Sequence, residues 1–211
     1  MHNEIEKLIK KYPDLQQSVD TIEKAFNLLV ESYRTQGKLL LCGNGGSAAD
    51  CEHIVGELMK GFTLNRPVDR EFERKLNEMY PEDGEYVAQH LQQTLPAISL
   101  VSHSALSTAF INDVAADMLF AQQVYGYGQV GDVVIGLSTS GNSDNVVKAM
   151  KVAKALGLKT IGFTGESGGK MNDICDVCIR VPWKETLDIQ ERHLPIYHTL
   201  CIMLEKEFFQ S

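Results

Sequence analysis

The sequence predicts an α/β fold, a three-layer αβα sandwich built on a central parallel sheet. Short, nearly continuous apolar runs recur along the chain, as expected of strands buried on both faces. Amphipathic helical stretches separate them, the rhythm of βαβ units. Two of the apolar runs end in glycine- and serine-rich turns that lead into helices, the chemistry of a strand-to-helix junction. With 211 residues, 44% of them hydrophobic and 23% charged, the chain has the size and composition of one domain with a substantial core.

The elements follow in order. The opening MHNEIEKLIKKYPDLQ is polar with a helical pattern, and Val19, Ile22, Phe26, Leu29 and Tyr33 then recur at helical spacing. Residues 1–36 thus read as a long N-terminal helical segment whose apolar stripe needs a partner, and other subunits are candidates. Lys38–Cys42 is a strand ending in Gly-Asn-Gly-Gly-Ser, followed by a helix from Ala48 to about Lys60. Ala97–Val101 is the next strand, with a helical stretch to about Tyr125. Asp132–Leu137 leads to a helix over Asn142–Leu156, and Lys159–Phe163 to a glycine-rich turn and a short helix. Val177–Val181 and a closing helix from about Leu187 to Phe209 complete the series. Asn65–Thr94 breaks the rhythm, being too polar for a core and punctuated by Pro67, Pro81 and Gly84. It reads as a helical hairpin inserted at the surface, either a solvated decoration or a lid.

Bulk properties exclude several classes. A formal net charge of −8 argues against a surface that neutralises nucleic-acid phosphates, so any anionic ligand must be held locally. No apolar run reaches membrane-spanning length, and the N-terminus lacks the apolar core of a signal peptide. A cytoplasmic protein is the expectation. The five cysteines, Cys42, Cys51, Cys175, Cys178 and Cys201, are an odd number scattered through apolar segments, as in reduced intracellular proteins. Cys175 and Cys178 sit in ICDVCIRV, which reads as a strand that would point the two thiols to opposite faces.

Two turns carry the first chemical signal: Gly43-Asn-Gly-Gly-Ser47 and Ser138-Thr-Ser-Gly-Asn-Ser143. A glycine-rich turn opening a helix offers backbone N–H groups, hydroxyls and the positive end of the helix dipole to a phosphate. Ser47 and Ser143 also suit helix caps. The turns lack the lysine of a P-loop and the third glycine of a dinucleotide fingerprint. Downstream, Asp50, His53 and Glu57 share a helix, His53 and Glu57 one turn apart. In the last helix Gln190 and His198 lie on one side. Two helices each offering a histidine and a second polar ligand type suggest a shared site, although a lone helical histidine is ordinarily a core residue.

The runs CGNGGSAADCEHIVGEL, FINDVAADMLFAQQV, GDVVIGLSTSGNSDNVVKAM, GFTGESGGKM, CIRVP and IQERHLPIYH, in this order, resemble the SIS-domain phosphoheptose (sedoheptulose-7-phosphate) isomerase family. The resemblance spans nearly the whole chain outside Asn65–Thr94. It implies phosphate-binding hydroxyls at Ser47, Ser138, Thr139, Ser140 and Ser143, and a substrate site also lined by Asn44, Gly45, Asp113 and Gln190. It implies Glu57 and His198 as the catalytic acid/base pair, and Zn²⁺ held by His53, Glu57, Gln190 and His198. A homotetramer with sites at subunit boundaries is also implied, an arrangement in which Glu57 and His198 of one site can come from different chains. The family's arginine after the Glu-Leu pair falls on Gly61 here, Asn65–Thr94 is longer than the family loop, and Trp183–Asp188 replaces a loop of polar contacts.

Aldose–ketose isomerisation moves a proton between two carbons through an enediol(ate), so it needs a base at carbon and an acid at oxygen. Glu57 and His198 suit those roles. The expected reaction is sedoheptulose 7-phosphate to D-glycero-D-manno-heptose 7-phosphate. The alternatives are an isomerase of another sugar phosphate and a non-catalytic SIS protein that binds a phosphosugar or a replication initiator.

Overall fold

A computed structural model describes residues 2–210. Its five strands, β1 (Leu39–Gly43), β2 (Ala97–Ser99), β3 (Val133–Leu137), β4 (Lys159–Thr164) and β5 (Val177–Arg180), form one parallel sheet in the order β2-β1-β3-β4-β5. Alternate residues of a strand supply opposite faces. Leu39 and Leu41 enter one core with Ile135, Ile161 and Phe163, whereas Leu40, Cys42 and Val134 enter the other. All four β1 side chains are fully buried. Each buried leucine contributes roughly 1.5–3 kcal/mol, so both faces must be covered.

The first face is covered by α1 (Asn3–Lys11), α2 (Val19–Arg34), α3 (Gly46–Leu58) and α10 (Thr186–Phe209), whose Leu8, Ile22, Ile54 and Ile196 join its core. On the second lie α7 (Leu119–Tyr127), α8 (Asp144–Ala155) and α9 (Met171–Ile174), contributing Val124, Met150 and Met171. This is the αβα sandwich the sequence predicts. The helix after β1 lies on one face and the helix after β3 on the other, although the two strands are neighbours. The sheet therefore has its topological switch point between β1 and β3, where open parallel sheets form a crevice beyond the carboxyl ends of the strands.

Three expectations need correction. The N-terminal segment is not one long helix: α1 ends at Tyr12, and a 3₁₀ turn over Pro13–Ser18 precedes α2. Pro13 disfavours helical backbone at Tyr12, which adopts φ −130° and ψ 75°. The stretch after β2 is likewise divided, into α6 (Ser104–Asp113), a 3₁₀ turn at Ala116–Met118, and α7. Asp117 of that turn pairs with Lys148 of α8, which ties the break to the neighbouring helix. The thiols of Cys175 and Cys178 do not point apart. Cys175 ends α9 ahead of β5, and both sulfurs border the space above Gly162, 3.2 and 3.4 Å from where a Cβ would stand.

Asn65–Thr94 contains α4 (Arg70–Met79) and α5 (Gly84–His90), packed on one another. No residue of α4 is buried. The segment is nevertheless pinned at its root, where Arg66 is fully buried. Within α10 lies Pro195, which removes one backbone donor from the helix.

Candidate active site

Both glycine-serine turns reach the switch-point crevice. Gly45 adopts φ 57° and precedes α3, whose first turn has no side-chain cap. Ser47 is therefore inside the helix and buried rather than capping it. Ser143 occupies the N-cap position of α8 but makes no capping bond, because its hydroxyl lies 2.8 Å from that of Ser138. No N-cap side chain occupies the first turn of α3 or α8, and although Ala48 N–H donates to the Gly45 carbonyl and Val146 N–H to Asn145 Oδ1, the N–H groups that open each helix face the region where helix N-termini bind anions. Asn44 and Asn145 join the turns by two reciprocal amide hydrogen bonds of 2.9 Å.

The second turn is built on main chain. Ser138 N–H donates to the Phe163 carbonyl, Gly165 N–H to that of Thr139 and Met171 N–H to that of Gly141, at 2.9–3.1 Å. Gly141, with φ 66°, has the Gly168 carbonyl oxygen 2.0 Å from the position of a Cβ, so only glycine fits. Thr139, Ser140 and Asn142 open onto a cavity of about 530 Å³ that Arg180 and Lys184 also line.

The remaining candidates converge where α3 packs against α10. His53 Nε2 is 3.2 Å from Glu57 Oε1 and 3.3 Å from His198 Nε2. One donor atom from each of His53, Glu57 and His198 lies within 4.8 Å of the others. Lys60 Nζ donates to the second Glu57 oxygen at 3.3 Å. Behind this group Tyr197 places its hydroxyl 3.0 Å from both Asp50 Oδ1 and His53 Nδ1. Burial lowers the pKa of His198 from its ordinary value, and His53 beside it acts in the same direction while Glu57 opposes both. Burial raises Asp50, against the hydrogen bond from Tyr197, and raises Tyr197 itself.

Glu57 and His198 meet within one chain, so their approach needs no second subunit. Gln190 stands apart from that trio: its amide packs over Gly46, with Nε2 2.7 Å from the position of a Cβ there. It connects α10 to the first turn. Asp113, the last residue of α6, is exposed, and its one side-chain hydrogen bond among the described residues comes from Asn112. Motif reading missed Asn145 and Tyr197; helical adjacency to His198 was the only available signal for the latter. The two imidazoles and the carboxylate form a donor set suited to a zinc-type cation, and the outer contact of Tyr197 on His53 is the kind that orients such ligands.

A family model described as SIS domain matches residues 3–96 and 74–165. The phosphoheptose isomerase of Aneurinibacillus thermoaerophilus is 38% identical over 90% of this chain and 83% of its own length. That of Nitratiruptor sp. is 41% identical over 86% of this chain and 83% of its own. The chain belongs to the phosphoheptose isomerase family. Solved structures agree. The phosphoheptose isomerase of Neisseria gonorrhoeae superposes with a TM-score of 0.75 at 30% identity, covering 96% of this chain and 95% of that one. The Francisella tularensis enzyme gives a TM-score of 0.72 at 28% identity, covering 97% of this chain and all of that one (100%). The protein is an enzyme of the sugar-phosphate isomerase class, and among the described residues no helix is long and apolar enough to cross a membrane.

Proposed function

We propose that the chain interconverts sedoheptulose 7-phosphate and D-glycero-D-manno-heptose 7-phosphate by proton transfer through an enediol(ate). The observation that carries this reading is the approach of Glu57 to His53 and His198 on one flank of the hydroxyl-lined crevice. Gln190 and His198 share α10 and are eight residues apart, or about 12 Å along a helix axis. Gln190 packs over Gly46 of the first turn, so a chain-like sugar held there by its phosphate can present its far carbons to Glu57.

In this reading the hydroxyls of Ser47, Ser138, Thr139, Ser140 and Ser143 and the backbone N–H groups beside them hold the phosphate. Asn44, Gly45, Gln190 and Asp113 contact the sugar. Glu57 moves the proton between C1 and C2. His198, less basic than an ordinary imidazole, gives and takes the proton at oxygen. His53, Glu57 and His198 would hold Zn²⁺, without Gln190, which packs over Gly46 instead; when bound the ion would polarise sugar oxygens and stabilise developing negative charge. Large exposed apolar side chains support a homotetramer with sites at subunit boundaries: Val114, Tyr125, Val130 and Leu187 are 68–85% exposed. We further read residues 1–36 as packing against other subunits, the chain as one SIS domain with a surface insertion at 65–94, and its compartment as the cytoplasm.

The test is NMR of C1–H exchange in D₂O across a panel of C5 to C7 sugar phosphates. Exchange with the C7 ketose phosphate is expected. Exchange confined to another member would reassign the substrate, and none with any member would sink the catalytic reading in favour of a phosphosugar-binding regulator.

A further inference from the structure

His53 is addressed at both ring nitrogens by consecutive residues of α10. Tyr197 lies 3.0 Å from Nδ1 and His198 lies 3.3 Å from Nε2. Their rings meet that of His53 edge-on, at interplanar angles of 75° and 83°. Tyr197 is buried, 2% exposed, so its hydroxyl is not free to turn toward solvent for a partner. That hydroxyl has one proton and two neighbours, Asp50 Oδ1 and His53 Nδ1, both at 3.0 Å.

We infer that Asp50 and Tyr197 form a hydrogen-bonded chain that holds a proton on His53 Nδ1 and so leaves Nε2 as the ring atom turned to Glu57 and His198. This rests on the reading of His53, Glu57 and His198 as a metal site, and it assigns Asp50 and Tyr197 to positioning. As a carboxylate, Asp50 only accepts, and Tyr197 supplies the sole hydrogen bond it receives among the described residues. The tyrosine proton therefore points to Asp50. Its oxygen then faces Nδ1 with lone pairs, and only an Nδ1–H donor satisfies it. The opposite arrangement sends the tyrosine proton to Nδ1 and leaves two acceptor oxygens 3.0 Å apart with no proton between them.

On the other side of the ring Nε2 stands 3.2 Å from Glu57 Oε1 and 3.3 Å from His198 Nε2, so with a proton held at Nδ1 it is the ring atom left to ligate a cation that Glu57 and His198 share. An unprotonated Nε2 is the form that ligates a cation. Tyr197 thereby does for His53 what a carboxylate or carbonyl does behind other metal-bound histidines, where loss of the outer partner costs 10–100-fold in affinity.

The experiment uses the full-length protein stripped of metal, with ¹⁵N-labelled histidine and long-range ¹H–¹⁵N correlation spectra. Zinc affinity is measured separately by competition with a chromophoric chelator. Wild type is expected to show His53 with its proton on Nδ1. Tyr197→Phe, which conserves ring volume, is expected to give mixed tautomers and zinc binding weakened about 10–100-fold. Asp50→Ala is expected to behave similarly, whereas Asp50→Asn keeps an acceptor for the tyrosine proton and should retain the wild-type tautomer and affinity. A wild-type His53 without a proton on Nδ1 overturns the inference, as does an unchanged proton placement in Tyr197→Phe. Failure of the wild type to bind zinc would defeat the metal reading alone, since the spectra decide the tautomer without metal.

Discussion

The guanidinium of Arg66 and the carboxylate of Glu205 meet at 2.7 Å with both side chains wholly removed from solvent. The pair is more than a local contact. Arg66 also donates to the carbonyls of Leu58 and Glu57, at 2.9 and 3.4 Å, where α3 ends. Glu205 accepts from the backbone N–H groups of Phe62, Thr63 and Leu64. The end of α3, the strand of chain leaving it and the last turns of α10 are thereby fastened to one ion pair, seven residues beyond His198.

Removing one partner strands the other as a buried unpaired charge. Arg66→Met or Glu205→Gln should each lower stability by about 3–5 kcal/mol, the usual cost of breaking a buried pair, measured by urea denaturation. Replacing both with apolar residues of similar volume should recover part of the loss. Single variants within about 0.5 kcal/mol of wild type would show that the pair is not anchoring the segment.

Acid should weaken the same anchor. Burial opposes ionisation of Glu205, yet hydrogen bonds from Thr63, the Phe62 backbone and Arg66 hold its pKa below the ordinary value of 4.5. A carboxyl with a depressed folded pKa stabilises fully above its unfolded pKa and loses that contribution as pH falls through the folded one. Wild-type stability should therefore decline below about pH 4.5, more steeply than that of Glu205→Gln. Parallel curves for the two proteins would remove Glu205 as the cause.

Glu57→Gln keeps the size of the side chain and removes the base. A fall in kcat of roughly 10²–10⁴ is expected, with phosphate-sugar affinity nearly unchanged. Turnover at the wild-type rate would end the assignment of Glu57.

Ser138→Ala removes a hydroxyl, and with it a 3.4 Å contact from Ser143 N–H, while leaving the bonds between peptide groups of the second turn in place. Phosphate binding serves ground and transition states alike, so KM should rise with kcat little altered. A loss confined to kcat would place Ser138 at the reacting carbons instead.

Gly46→Ala separates packing from function. The added Cβ would stand 2.7 Å from Gln190 Nε2, the far end of a flexible side chain that can move aside. The stability change should stay below about 1 kcal/mol, while displacement of Gln190 should lower kcat/KM by up to about 100-fold. An unperturbed kcat/KM would mean that Gln190 contributes nothing to catalysis where it lies.

The strands and the two turns were legible because their signals are local: Leu39–Gly43 is apolar throughout and leads into a turn where Gly45 adopts a positive φ that few other residues adopt. His53 and Glu57 were legible as a pair because helix geometry alone brings them together. Arg66 with Glu205 was not, since 139 residues separate them and the arginine sits in a stretch whose polarity reads as solvated surface. Asn44 with Asn145, 101 residues apart, depends on which strands are neighbours, and apolar patterning does not encode strand order. The division of the N-terminal helix at Tyr12 carried a signal in Pro13, which was outweighed by the helical pattern on either side.

The second turn keeps its shape mainly through peptide groups: those of Ser138, Thr139 and Gly141 bond to those of Phe163, Gly165 and Met171, and Gly141 fits against Gly168. Its form and its reactivity are consequently separable. Side chains around the rim can be exchanged to favour a different anionic headgroup while the mould beneath them stays intact, giving a laboratory redesign of ligand preference a scaffold that does not have to be rebuilt at each step.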